Sequence, residues 1–385
     1  MPIRIVADAN IPHVEQCFSH LGQVVTVQGR QITTDLIRNA EILLVRSVTL
    51  VNRELLDGTA VRFVGTATIG YEHVDLDYLR ERGIGFASAP GSNANSVAEY
   101  VIAALLEIAG RHGQRLADMS IGIVGAGHVG SLVDAKCKAI GMKTVLNDPP
   151  LARTSGDPIY RLIEEVFGCD IVTLHVPLTF QGPDRTYHLA DEKWLASLRP
   201  GAIFINTSRG AVHDTIALKA AIRSGRLSAV VLDVWEGEPN VDLELLDMVD
   251  IATAHIAGYS LDGKVAGMIM IYQQVCTFLG QSPRYKIEDF LPAPQVSRIR
   301  LAGQADDQEQ LRQAVRQVYP ILEDDQQTRQ ILKSPSDAGR IFDAIRRDYR
   351  QRREFHNTTV LMGPGHHGLA GLFAGVGFNV ELTER

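Results

Sequence analysis

Two stretches carry residue types suited to proton transfer. "VLDVWEGEP", residues 231–239, starts apolar at Val231 and Leu232, then turns polar and brings Asp233, Glu236 and Glu238 together. "ATAHIAGY", residues 252–259, repeats the switch and sets His255 three residues before a glycine, Gly258. A third stretch, "NTSRGA", offers Arg209 in the same setting, after an apolar run. An imidazole titrates close to the working pH and suits a base that removes a hydroxyl proton. A neighbouring carboxylate fixes its tautomer and stabilises its charged form. The planar guanidinium fork grips a carboxylate with two hydrogen bonds. Oxidation of a hydroxy acid at the carbon beside its carboxylate needs all three, and a hydride acceptor besides.

"IGIVGAGHVG", residues 121–130, supplies the place for that acceptor. Gly125 permits a tight turn, Gly127 lets a diphosphate approach the backbone, and Gly130 allows a helix to pack closely on a strand. The N–H groups at the start of the following helix then face the phosphates. Asp148 ends the next strand, 18 residues beyond Gly130. A carboxylate there accepts hydrogen bonds from ribose hydroxyls and repels a 2'-phosphate, and no arginine is adjacent in "NDPP". NAD is therefore expected in preference to NADP.

Short Ile-, Val- and Phe-rich runs separated by helical segments must carry these residues. In the first hundred residues the strands are "IRIVAD", "VVTV", "EILLVRS", "VRFVGTA" and "IGFASAP". A long apolar helix, "NANSVAEYVIAALLEIAGRHG", follows, with Asn93 or Asn95 as its cap. A second alternating set comprises "MSIGIVGAG", "KTVLNDP", "CDIVTLHVPL", "AIFINTSRG", "AVVLDVWEG" and "DIATAHIAG". Such alternation predicts parallel sheets covered on both faces, with ligands at the carboxyl ends of the strands. The proline-bearing stretch "QSPRYKIEDFLPAPQ" marks a boundary. Beyond it lies a small α+β module, with helices over "DDQEQLRQAVRQVY" and "DAGRIFDAIRRDYRQRREF" and a terminal strand in "GLFAGVGFNVEL". The expected division is 1–97 with 259–284, then 98–258, then 285–385.

The totals agree with a soluble enzyme. Hydrophobic residues make up 45% of the 385, and the formal net charge is -7, which gives no global basic surface for nucleic acid. The four cysteines form no CxxC pair, so free thiols in a reducing compartment are expected, and no metal cluster is visible. The N-terminus lacks a signal-peptide core and no segment reads as membrane-spanning, which makes the cytoplasm the expected location.

Over roughly residues 1–280 the chain resembles the D-isomer-specific 2-hydroxyacid dehydrogenases, through "GIVGAGHVG", "LHVPLT", "FINTSRGAVHD", "LDVWEGEP" and "TAHIAGY". The resemblance implies two doubly wound domains, a flavodoxin-like substrate domain and a Rossmann NAD domain. It implies that Arg209 grips the substrate carboxylate, that His255 is the acid/base and that Glu238 is its partner. For the cofactor it implies contacts from Gly125, Gly127, His128, Val129 and Gly130, and from Asp148 and Val176. Thr207, Ser208, Asp233 and Gly258 are implied on the nicotinamide side. Where the family usually has a glycine-rich turn, "TATIGYEHVD" has Thr66 and Thr68. That departure suits a phosphorylated polyhydroxy acid, with Ser47, Thr68 and Tyr259 as substrate contacts and Arg46 beside them. The C-terminal module is implied to be a dimerisation domain, making the chain a homodimer. Its run "IRRDYRQRR" reads either as a solvated face balanced by Asp343, Asp348 and Glu354, or as a source of Arg346 or Arg347 for the substrate phosphate in a partner's cleft. A shorter phosphorylated acid as substrate, or a non-catalytic nucleotide sensor on the same fold, stays open.

Overall fold

The first five strands are β1 (Arg4–Asp8), β2 (Gln23–Val27), β3 (Ile42–Val45), β4 (Phe63–Thr66) and β5 (Gly85–Ala87). They form one parallel sheet in the order β2-β1-β3-β4-β5 in a computed structural model that describes residues 2–301 and 305–384. The period-2 alternation of a strand divides their side chains between two cores. Ile5, Ala7, Ile42, Leu44 and Phe63 pack with the helix Leu261–Phe278 on one face. Val6, Leu43, Val45 and Val64 pack with Ile37, Leu55, Leu56, Tyr78 and Leu79 on the other. Covering on both faces is why these strands read as continuous apolar runs.

The second sheet holds β6 (Ser120–Val124), β7 (Lys143–Asn147), β8 (Ile171–Leu174), β9 (Ala202–Asn206), β10 (Leu227–Leu232) and β11 (Ile251–Ala252). Its order is β11-β10-β9-β8-β6-β7, all parallel, and a bridge between Leu146 and Tyr160 extends it beyond β7. The chain leaves β6 toward one side, then returns to lay β8 on the other. This reversal opens a crevice at the carboxyl ends of β6 and β8. Registers align those ends: Val124 pairs with Leu174, Leu174 with Asn206, Asn206 with Leu232 and Leu232 with Ala252. Gly125, His175, Thr207, Asp233 and Thr253 therefore follow side by side along one edge.

By compactness the chain divides into two units, residues up to 93 with 260–293, and residues 94–259 with 294–385. The C-terminal residues belong to the second. There β12 (Arg298–Arg300), β13 (Thr359–Met362) and β14 (Asn379–Leu382) form a parallel three-stranded sheet in the order β12-β13-β14. The helix Asp307–Val318 docks on the helix Ala94–His112, where Arg316 Nε donates to the buried Glu107 Oε1 at 2.5 Å. Val360, Met362, Phe373 and Val376 join the core that also holds Ile121, Ile123 and Ile203.

Three elements differ from expectation. "GLFAGVGFNVEL" is a helix over Ala370–Val376 followed by β14. Phe373 and Val376 recur at helical spacing on the buried face, and Gly377 at φ 123° ends the helix. Gly375 brings it close to the helix His128–Ile140, since a Cβ there would lie 2.4 Å from Ala139 Cβ. The arginine-rich helix stops at Arg347, and the chain beyond turns irregular because Arg352 and Glu354 are drawn inside. β11 has only two residues, and further along the chain Asp233 takes the amides of Ile256 and Ala257 at 2.7 and 3.0 Å. Among the described residues no helix is long and apolar enough to cross a membrane. All four cysteines are buried and unpaired.

Candidate active site

The glycine turn has the geometry its spacing predicts. Gly125 adopts φ 92°, and a Cβ on Gly130 would lie 1.9 Å from the Gly125 carbonyl oxygen. Gly127 has nothing within 4 Å of its Cβ position, so its face is open. His128 and Val129 begin the helix immediately after it, and His128 is exposed, which leaves the first-turn N–H groups accessible. Val176 lies against Gly125, with Cγ1 3.0 Å from the Cβ position. An open backbone turn leading into a helix N-terminus is the cradle a dinucleotide diphosphate requires. Asp148 is already tied to the backbone: Oδ1 accepts from Leu151 N and Oδ2 from Ala126 N, both at 2.9 Å. It caps the helix Pro149–Ser155, and its remaining lone pairs are what a ribose would use. Arg153, one turn on, is paired with Asp184 at 3.1 Å, so the nearby cation is engaged elsewhere.

The "NTSRG" loop is held by Asn206. Its Nδ2 donates to the Arg209 carbonyl and to His213 Nδ1, both at 2.9 Å, and its Oδ1 accepts from Ser208 N and Oγ at 3.0 and 2.8 Å. Thr207 Oγ1 lies 3.3 Å from Nδ1 of His175, whose pKa burial pushes down to about 3, so that ring stays neutral. Arg209 donates from Nη1 to the Ser208 carbonyl at 2.8 Å. Gly210 is required by close approach, because a Cβ there would fall 2.0 Å from the Trp235 carbonyl.

The three acids of "DVWEGE" have three different surroundings. Asp233 is buried, and besides the two amides it accepts from Thr253 Oγ1 at 2.6 Å. Burial raises its pKa, while His255 and these donors act against the rise. Glu236 is bound to His188 Nε2 at 2.6 Å, and His188 Nδ1 lies 3.4 Å from Asp214, which fastens this loop to the start of the helix Thr215–Arg223. Glu238 Oε2 meets His255 Nδ1 at 2.7 Å, and its Oε1 accepts from Trp235 N at 2.7 Å. Burial works to raise Glu238; the charge of His255 and the hydrogen bonds from His255 and Trp235 outweigh it and hold the carboxyl below its usual range. His255 sits at φ 55°, and its side chain keeps 32% of its surface, against 20% for Glu238. With Nδ1–H donated to a carboxylate, Nε2 is left as the basic nitrogen.

The second unit thus brings Arg209, Glu238 and His255 to the carboxyl ends of β9, β10 and β11, beside the glycine turn after β6. Gly258 and Tyr259 continue from His255, and the guanidinium carbon of Arg346 lies 5.6 Å from the centre of the Tyr259 ring. Arg347 is exposed and pairs with Asp348 at 2.7 Å. In the first unit Arg46 and Ser47 follow β3, and Thr68 follows β4. Thr68 Oγ1 lies 2.7 Å from Thr66 Oγ1, which in turn lies 3.1 Å from His73 Nε2. His175 and Thr253 escaped the sequence reading, although each is a polar residue at a predicted strand end. Ser96 and Arg352, which hold the Ala257 carbonyl at 2.8 and 2.9 Å, gave no such signal.

Residues 101–257 match the NAD-binding domain of the D-isomer-specific 2-hydroxyacid dehydrogenases, and residues 290–369 match a domain of unknown function. The chain is 45% identical over 378 residues to erythronate-4-phosphate dehydrogenase of Cronobacter sakazakii, covering 98% of each. It is 44% identical, with the same coverage, to that of Salmonella typhi. Among solved structures it resembles D-lactate dehydrogenase from Aquifex aeolicus complexed with NAD and lactic acid, with a TM-score of 0.60 and 25% identity over 72% of this chain and 95% of that one. A glyoxylate reductase from Paecilomyes thermophila, TM-score 0.60 at 23% identity, covering 73% of this chain and 97% of that one, shares the fold. By sequence along nearly its whole length and by fold, the chain belongs to the NAD-dependent D-isomer-specific 2-hydroxyacid dehydrogenases, among the erythronate-4-phosphate dehydrogenases.

Proposed function

We propose that the protein oxidises 4-phospho-D-erythronate to (R)-3-hydroxy-2-oxo-4-phosphooxybutanoate, a step of pyridoxine biosynthesis, in the cytoplasm and as a homodimer. The observation that carries the reaction type is the 2.7 Å contact between Glu238 Oε2 and His255 Nδ1 at the strand ends beside the open glycine turn. The substrate assignment is supported by the relatives' identity over 98% of the chain.

His255 Nε2 removes the proton of the C2 hydroxyl. Glu238, held anionic, keeps the ring in the right tautomer and stabilises the imidazolium that results. Arg209 grips the substrate carboxylate and so orients C2. NAD, when bound, supplies the acceptor for the C2 hydride. Gly125, Gly127, His128, Val129, Gly130, Asp148 and Val176 hold its diphosphate and adenosine side, and Thr207, Ser208, Asp233 and Gly258 lie toward the nicotinamide. Ser47, Thr68 and Tyr259, with Arg46, bind the hydroxyls and phosphate. Arg347, paired with Asp348 at the helix end, is a lesser candidate for the phosphate than Arg346.

The test is single-turnover reduction of NAD by purified protein, followed by nicotinamide absorbance and fluorescence. The substrates are 4-phosphoerythronate, unphosphorylated erythronate and 3-phosphoglycerate. Selective reduction with the first is expected. Selective reduction with 3-phosphoglycerate would overturn the substrate and keep the chemistry, and no reduction with any, despite NAD binding, would overturn the activity.

A further inference from the structure

The residues that matched a domain of unknown function reach the loop that carries His255. Arg346 lies with its guanidinium carbon 5.6 Å from the centre of the Tyr259 ring and 5.9 Å from that of Phe342. Tyr349 meets the same ring edge-on at 6.0 Å, and is itself fixed by donating to Asp324 at 2.8 Å. Tyr259 is boxed by two side chains of the C-terminal segment. Four residues before it, His255 enters the loop at positive φ.

The same segment holds the middle of the loop. Arg352 is buried, its guanidinium stacked 4.0 Å over Tyr319, and Nη2 donates to the Ala257 carbonyl at 2.9 Å and to Ser96 Oγ at 2.5 Å. Asp233 takes the amide of the same residue, Ala257. Arg352 Nε and Nη1 have no hydrogen-bond partner among the described residues. An apolar side chain would fill such a place at lower desolvation cost. The charge is kept where one of its two hydrogen bonds goes to the loop that carries His255.

We propose that the C-terminal segment is a positioning element for the active site of its own chain: Arg352 fixes the Ala257 carbonyl, and Arg346 packs against Tyr259 and brings its positive charge to the loop that carries His255. This rests on the reading of His255 as the acid/base. The charged and titratable groups that act on the pair are Asp233, which interacts with His255, and His213 and Arg346, which interact with Glu238. The positive charge of Arg346 helps hold the Glu238 carboxyl below its usual range.

The experiment uses the full chain and compares Arg346→Gln, Arg346→Lys and Tyr259→Phe with the wild type. The primary readout is the pH titration of the His255 ring by nuclear magnetic resonance, its signal identified by loss in His255→Asn. Arg346→Gln should move the midpoint up by about half a unit or more, and Arg346→Lys should restore it. Tyr259→Phe should leave the midpoint near wild type while raising KM. The acid limb of kcat should follow the titration, with the dissociation constant for NAD unchanged. An unmoved midpoint in a folded Arg346→Gln protein, or a shift that lysine does not restore, overturns the proposal. A shifted midpoint in a protein that fails to reduce NAD with any of the three acids sustains it and overturns the proposed reaction alone.

Discussion

Glu238 and Glu99 are both carboxylates set among basic side chains in the same unit, yet their surroundings differ in kind. Glu238 has one imidazole partner at 2.7 Å, both oxygens bonded, and a fifth of its side chain open. Glu99 has no exposed surface. Its Oε1 accepts from Asn95 Nδ2 at 3.0 Å and from Phe355 N at 2.9 Å, while Oε2 has no hydrogen-bond partner and lies 3.8 Å from Arg352 Nη1. Asn95 also donates to Glu354 Oε2 at 2.6 Å, so two carboxylates share one amide, with Lys136 close by. Burial first, then Glu354, pushes Glu99 up to about 8, against the pull of Lys136 and Arg352. Burial pushes Lys136 down. Where the protein leaves an imidazole–carboxylate pair in reach of solvent and satisfies its atoms, the pair suits proton transfer. Where it seals the charges in and leaves atoms unsatisfied, the cluster fastens one segment to another.

Four measurements break or sharpen this contrast. His255→Asn removes the base and should lower kcat by about a hundredfold to ten-thousandfold with the thermal midpoint kept near wild type, measured by stopped-flow NADH formation and calorimetry. Lys136→Met should do the reverse. Removing one cation from a buried cluster costs about 3 kcal/mol, read from urea unfolding, while kcat of the folded fraction stays within a few-fold.

The third is a pH series. The folded pKa of Glu99, about 8, lies above its ordinary 4.5, so between those values the folded chain holds a proton that the unfolded chain has released. Its contribution to stability is full below about 4.5, declines as pH rises through the window, and is gone above about 8. Glu99→Gln should flatten that decline, seen as unfolding free energies that change less with pH than the wild type's. The smallest effect is expected from Glu238→Gln, which should shift the acid limb of kcat down by about one unit, as the imidazolium loses its anionic neighbour. Arg346→Gln should shift the same limb up, and equal directions would refute the charge assignments.

The turn at Gly125–Gly130 was legible because its requirements are local: a positive φ, an open face and a close helix contact each demand glycine at a fixed spacing. Glu238 and His255 were legible because each ends an apolar run, and parallel registers bring strand ends to one edge. The arginine run was misleading for the same reason that local reading works elsewhere. Arg347 and Asp348 do form the expected solvated pair, but Arg352, with nothing in its neighbourhood to announce it, is buried against Ser96, 256 residues away. Glu354, expected to balance the exposed arginines, turns inward to Asn95, 259 residues away. The helix Ile321–Thr328 went unread since its polar face supplies Asp324 and Asp325 to the interior.

By itself the sequence determined the alternating architecture, the glycine turn and the residue types of the histidine–carboxylate pair, since periodicity, glycine spacing and side-chain type act over a few residues. Only the tertiary structure decided which charges are solvated and which are sealed, and that Arg346 and Arg352 meet the loop of His255. Burial and pairing of a charge depend on what the rest of the chain places beside it, and no short stretch contains that information.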